Sequence, residues 1–151
     1  MLVKNGKICL TPNGNNTRQI KTTSGDNLNI SSSNYNYVTS NLHIKIGNGT
    51  TQPTDADYNI EDVITSGLTL TLVSKSTSAS ILYDNPPSIL FANYLVTNET
   101  ENDISVSEIA LFSNTAQTPS DINEFLISRT VLADPIVLES GKTYQLRVDV
   151  N

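Results

Sequence analysis

From Leu42 to the end of the chain, apolar side chains recur at every second residue in one short segment after another. A period of two sends alternate side chains to opposite faces of an extended strand, whereas a helix would need apolar positions three and four apart. Gly67-Leu-Thr-Leu-Thr-Leu-Val73 shows the pattern most plainly, and Thr143 to Asn151 repeats it with Tyr144, Leu146, Val148 and Val150 set against Arg147 and Asp149. Ile89 to Val96 is the longest apolar run and reads as a central strand or one crossing the core. Ile81-Leu82-Tyr83 is a short strand cut off by Asp84-Asn85-Pro86-Pro87, since proline cannot donate to a ladder.

Two further segments carry irregularities. Ile104 and Val106 share one parity while Ile109 and Leu111 share the other, which predicts a bulge near Ser107-Glu108. Phe125 to Leu132 is a strand with apolar residues on both parities. Ser113 to Asp121, with Pro119, reads as a loop, Asp121-Ile122-Asn123-Glu124 as one helical turn, and Ile136-Val137-Leu138 as a separate piece between Pro135 and Ser140-Gly141. With no long helical period, the pattern predicts an all-β fold. The expected architecture is an antiparallel β-sandwich of jelly-roll or Ig-like type over residues 41–151. Its expected core includes Ile44, Ile46, Leu70, Leu72, Leu90, Ile109, Leu111, Leu126 and Leu146.

Residues 1–40 differ in composition. Asn, Ser and Thr dominate and apolar residues are sparse, so this N-terminal extended arm lacks the material for a core of its own. Short strands around Val3, Ile8 and Leu10 and around Leu28 and Ile30 are expected. The arm is either weakly structured, with a hairpin or two, or ordered by lying on a neighbouring subunit.

Leu42 to Ile64 is the most distinctive stretch. Leu42, Ile44 and Ile46 alternate with His43 and Lys45, and the strand stops at Gly47-Asn48-Gly49, where residues tolerant of positive φ favour a turn. Thr50-Thr51-Gln52-Pro53 is extended, and Thr54 or Asp55 is placed to cap a single helical turn with Asp57 behind it. Tyr58, Ile60, Val63 and Ile64 then return the chain to the core.

The chemistry available is limited. Nine basic residues against 15 acidic ones give a net charge of −6, so a basic stripe for nucleic acid is missing and no nucleic-acid partner is expected. No apolar run approaches the ~20 residues of a membrane-spanning helix, and the polar start lacks a secretory signal's apolar stretch, so no membrane partner is expected. His43 is the one histidine and Cys9 the one cysteine, too few for a catalytic triad or a zinc tetrad. His43 falls on the polar, solvent-facing side of its strand. Asp55, Asp57, Glu61 and Asp62 offer oxygen ligands without the spacing of a calcium loop, and capping and solvation explain them. No cofactor is expected and the chain reads as non-enzymatic. Sequons at Asn15, Asn29, Asn48 and Asn98 arise readily by chance in an Asn- and Thr-rich chain.

Three pieces, in order, carry a resemblance: IGNGTTQPTDADYNIEDVI at Ile46 to Ile64, VSEIALF at Val106 to Phe112, and LISRTVLADPIVLESGKTYQLRVDV at Leu126 to Val150. Together they resemble a family of small bacteriophage virion proteins, with Ala110 where that family usually has glycine and Asn48 where threonine is common. The resemblance covers residues 42–151 and implies a structural subunit of capsid or tail. The expected role is capsid decoration or cementing, as a homo-oligomer held among other virion proteins and localised to the particle assembled in the host cytoplasm. The alternative is a tail, baseplate or fibre component that binds a glycan in a cleft lined by Tyr35, Tyr37, Tyr83 or Tyr94. The candidate interaction residues are Tyr35, Tyr37, Gly47, Asn48, Gly49, Thr50, Thr51, Glu108 and Arg129. The last two are interior charges of otherwise apolar strands, either facing solvent, paired with each other, or paired across a subunit interface.

Overall fold

The longest apolar run forms the middle of a sheet. In the computed structural model, which describes residues 18–21, 27–30, 42–54, 57–75, 90–118 and 121–150, eight strands and no helix occur among the described residues. They are β1 (Arg18–Lys21), β2 (Asn27–Ile30), β3 (His43–Gly47), β4 (Leu68–Lys75), β5 (Leu90–Asn98), β6 (Ile104–Thr118), β7 (Asp121–Leu138) and β8 (Thr143–Val150). β5 is flanked by β4 and β8, and β6 by β3 and β7, giving two antiparallel three-stranded sheets. The chain crosses between the sheets through residues 48–67, 99–103 and 139–142. The fold is an antiparallel β-sandwich. Within the N-terminal arm, β1 and β2 pair as a hairpin with Arg18 opposite Ile30. The expected strands around Val3 and at Ile81-Leu82-Tyr83 lie outside the described residues.

One face of each sheet makes the core. Ile44, Ile46, Val106, Ile109, Leu111, Phe125 and Ile127 pack against Ala92, Tyr94 and Val96 of β5, with Leu68, Tyr144, Leu146 and Val148 half-buried beside them. Each Val, Ile, Leu or Phe among them contributes about 1.5–3 kcal/mol when fully removed from water. The outer face of the β3–β6–β7 sheet carries a second cluster, Ala110, Phe112 and Leu126, capped by Ile60 from the loop between β3 and β4. This second cover explains why Phe125, Leu126 and Ile127 are all buried although neighbours on a strand point opposite ways.

The expected core holds for Ile44, Ile46, Ile109, Leu111 and Leu126, with Leu146 half-buried, and fails for two leucines. Leu70 and Leu72 stand opposite Val96 and Tyr94, on the inward side as their parity demands, yet are 36% and 42% exposed. β4 is an edge strand, and alternation fixes the side a residue faces, not whether another sheet extends far enough to cover it. The Leu90 side chain lies outside the described residues.

The β6–β7 hairpin corrects three further expectations. Pairing continues through Ser113↔Phe125 to Thr118↔Asp121, so the stretch expected as a loop is strand up to Thr118, and Asp121 to Glu124 is strand rather than a helical turn. A run of polar Asn and Thr carries no apolar period to read, and cross-strand bonding decides its conformation. The bulge expected at Ser107-Glu108 is present as a register break between Val106 and Glu108. Across that break β6 advances two residues and β7 five, from Val131 to Ile136, so Pro135 sits where no ladder bond is required of it. Ile136 to Leu138 therefore ends β7 instead of standing alone.

At one end of the sandwich the chain is tied by Asn98, which is fully buried. Its Nδ2 donates to the Asn102 and Leu138 carbonyls at 2.8 Å each, and its Oδ1 accepts from the Thr100 N–H at 2.9 Å and the Thr100 hydroxyl at 2.8 Å. The Asn98-Glu99-Thr100 sequon is thus a knot joining both sheets, with its amide sealed off in the folded chain. Next to it Gly67 adopts φ +80°, and a Cβ there would collide with Thr100. The isosteric substitution Asn98→Asp turns the donor into an acceptor facing two carbonyls. We expect it to cost about 3 kcal/mol or more in urea unfolding. Leu72→Ala, at the uncovered edge, should cost under about 1.5 kcal/mol.

Candidate functional site: a buried ion-pair clamp

Glu108 and Arg129 come from neighbouring strands and meet on the outer face of the β3–β6–β7 sheet, beneath the loop that leaves β3. Register explains the placement. Gly47 pairs with Glu108 and Ala110 with Arg129, so each charged side chain lies beside a residue with little or no side chain. Glu108 is 0% exposed and Arg129 4%, which excludes the solvent-facing reading and makes them partners of each other.

The pair is part of a larger network. Arg129 donates through Nε to Glu108, through Nη1 to Asp57 at 2.7 Å, and through Nη2 to the Thr51 carbonyl at 3.0 Å and Glu61 at 3.4 Å. Glu108 also accepts the Glu61 N–H at 3.0 and 3.1 Å on its two oxygens and the Asp62 N–H at 3.3 Å. Glu61 in turn accepts the N–H groups of Thr50 and Thr51 at 3.1 and 3.0 Å and the Thr51 hydroxyl at 2.7 Å. Backbone bonds from Asn48 to Asp62 (2.8 Å) and from Ile64 to Ile46 (2.9 Å) close the loop at its base. A buried ion pair survives only when its remaining donors and acceptors are satisfied, and the loop backbone supplies that here.

The glycines serve this approach in a way the sequence reading misplaced. Gly47 and Gly49 are not the positive-φ positions; Gly67 and Gly141 are. A Cβ on Gly47 would meet the Asp62 carbonyl and lie 2.9 Å from Glu108 Oε2, and one on Gly49 would strike Glu108 and lie 2.7 Å from the Glu61 Cβ. Close packing of backbone over the Glu108 carboxylate requires glycine at both sites. The single helical turn expected behind Thr54 or Asp55 runs through residues 55–56, outside the described residues. At its ends the Thr54 N–H and hydroxyl donate to the Asp57 carboxylate at 3.0 and 2.8 Å, and the Asp57 N–H donates to the Thr54 carbonyl at 3.3 Å.

Burial pushes the Asp57 carboxyl up, but the Thr54 hydrogen bonds and Arg129 outweigh it and hold the group below its ordinary value. The Thr51 side chain and backbone do the same for Glu61. Arg129 is disfavoured by burial and raised by Glu108 and Asp57. Beside the network, Thr51, Asp57, Tyr58, Ile60, Glu61 and Arg129 line an open hollow of about 450 Å³ with mixed polar and apolar walls.

A second charged group sits further along the same face. Glu124 accepts from His43 Nε2 at 2.7 Å and Lys45 Nζ at 2.5 Å. The His43 ring stacks on Phe112 with centroids 5.9 Å apart, and Lys45 Nζ lies 4.6 Å from that ring's centroid. His43 is therefore half-buried and engaged, not a solvent-facing residue. Its partner, 81 residues away, could not be read from spacing. Burial raises the Glu124 carboxyl, and the hydrogen bonds from His43 and Lys45 more than reverse this, to about 2.

Of the sequence-selected residues, Gly47, Asn48, Gly49, Thr50, Thr51, Glu108 and Arg129 converge on one locus, whereas Tyr35 and Tyr37 lie outside the described residues, as does Tyr83. Tyr94 is buried in the core and cannot line a cleft. Asp57 and Glu61, weighed for calcium, serve Arg129 instead, and no cluster suited to a metal occurs among the described residues. Family models, curated proteins and solved structures provide no match to the chain.

Two outcomes are expected. Arg129→Met strands the Glu108 charge and should cost about 3–5 kcal/mol in denaturant unfolding, and adding Glu108→Gln should recover a substantial part of the loss. Because Glu124 is depressed from 4.5 to about 2 on folding, its stabilisation is complete above pH 4.5 and is lost as pH falls toward 2. Glu124→Gln should flatten that limb of the stability–pH curve, measured by thermal melts across this range.

Proposed function

We propose that this protein is an accessory structural subunit of a bacteriophage particle, a non-catalytic capsid decoration or cementing protein that acts by being held between neighbours. One observation supports the reading above others. The three sequence pieces that carry the resemblance to phage virion proteins meet in space: Thr51, Asp57 and Glu61 from the first, Glu108 from the second, Arg129 from the third. A motif set whose polar residues are spent on locking one loop to a sheet suits a rigid building block.

The sandwich offers what assembly contacts use. β3 and β7 bound one sheet and β4 and β8 the other, and apolar side chains at Leu72, Val73, Ile136 and Val137 remain 41–53% exposed. A net charge of −6 suits an outer position better than a surface against packaged DNA. The test is composition and imaging of purified particles, with and without this subunit. The protein should be a regular component on the capsid exterior, and particles lacking it should release DNA at lower temperature. Its absence from particles would overturn the proposal, and density confined to the tail would transfer it to the tail or fibre reading.

A further inference from the structure

Asn48-Gly49 combines an exposed asparagine with a following glycine that has no side chain to shield its amide nitrogen. In a free chain this pair is the most reactive of dipeptides toward spontaneous deamidation. The Gly49 nitrogen, having lost its proton to water, attacks the Asn48 side-chain carbonyl carbon. The bond to the amide nitrogen breaks, ammonia leaves with a proton, and water then opens the five-membered imide. The product at position 48 is aspartate or, when the other carbonyl is attacked, isoaspartate, which adds one carbon to the backbone path.

Here both sides of the reacting peptide are pinned. Before it, Gly47 bridges Val63 and the Asn48 N–H donates to Asp62; after it, the Thr50 and Thr51 N–H groups are held by Glu61. The ring closure needs Asn48 to rotate toward the Gly49 nitrogen, and this framework opposes that rotation. The electrostatics oppose it too. Gly49 is buried against Glu108 and Glu61, and negative charge there disfavours an amide anion.

We propose that Asn48 is a deamidation site held off by the Arg129–Glu108 clamp, and that its conversion prevents the loop from closing again. The second half follows from packing. A Cβ on Gly49 would strike Glu108 and lie 2.7 Å from the Glu61 Cβ, so the packed backbone there has no room for an added carbon and a longer backbone path cannot reseat. Opening of the clamp is thereby recorded irreversibly in the covalent structure.

The experiment follows isoaspartate and aspartate at position 48 by peptide mapping with mass spectrometry, during incubation at mildly alkaline pH. The native full-length chain should convert far more slowly than the same chain denatured in urea. Asp57→Asn, which removes one carboxylate from Arg129, should convert about tenfold faster than wild type. Should that variant fail to fold, wild type in urea below its unfolding midpoint provides the same comparison, with conversion rising with urea. Native conversion as fast as in the denatured chain would overturn the proposal, as would a rate indifferent to both the variant and sub-denaturing urea. The converted fraction, isolated by ion exchange, should show faster hydrogen exchange at Thr50 and Thr51, and unchanged exchange there would overturn the loss of closure.

Discussion

A carboxylate with no exposure to water at all, Glu108, must be matched on every side or the sheet that carries it cannot fold as it does. Arg129 supplies the opposite charge from the next strand, and the Glu61 and Asp62 amides supply the remaining hydrogen bonds from the loop. The loop is thus part of the solution to a charge buried in the sheet. In return, the sheet gives the loop an anchor that its own composition lacks, since Thr50 to Thr54 contribute little apolar surface. Neither half is stable in this arrangement without the other.

This mutual dependence sets the character of the outer face. Ile60, brought down by the clamp, covers Ala110, Phe112 and Leu126, so the β3–β6–β7 sheet is buried on both sides over part of its length. Where that cover ends, His43 and Lys45 close over Phe112 and are fixed by Glu124. Among the described residues the opposite sheet has no comparable cover at its β4 edge, where Leu70 and Leu72 stay partly exposed. Among the described residues, one side is thus tied down by ion pairs and loop cover, while the β4 edge on the other keeps Leu70, Leu72 and Val73 partly exposed.

Asn98 plays the corresponding role at the end of the sandwich, where hydrogen bonds to Asn102, Leu138 and Thr100 join segments from both sheets. A fully buried amide that spends both ends internally rigidifies its surroundings, because any displacement leaves a carbonyl without its donor. Its local context, an Asn among several in acidic turn residues, carries no hint of this. Burial of a polar side chain depends on what packs above it, and that information is spread over residues far apart in the chain.

Local patterning was enough to establish the strand class, the inward parity of most core residues and the bulge at Ser107-Glu108, because a period of two and its interruption are local properties. It also marked Glu108, Arg129 and the Gly47–Thr51 stretch as belonging to something specific. Tertiary packing settled the rest. It determined that the glycines serve close packing instead of a left-handed turn, and that Asp57 and Glu61 answer an arginine. It also left Leu70 and Leu72 uncovered, and made the Asn- and Thr-rich run after Ser113 a strand. The physical reason is common to all four: coverage, pairing and close approach are relations between segments, and a chain read one residue at a time carries the propensity for each without naming the partner.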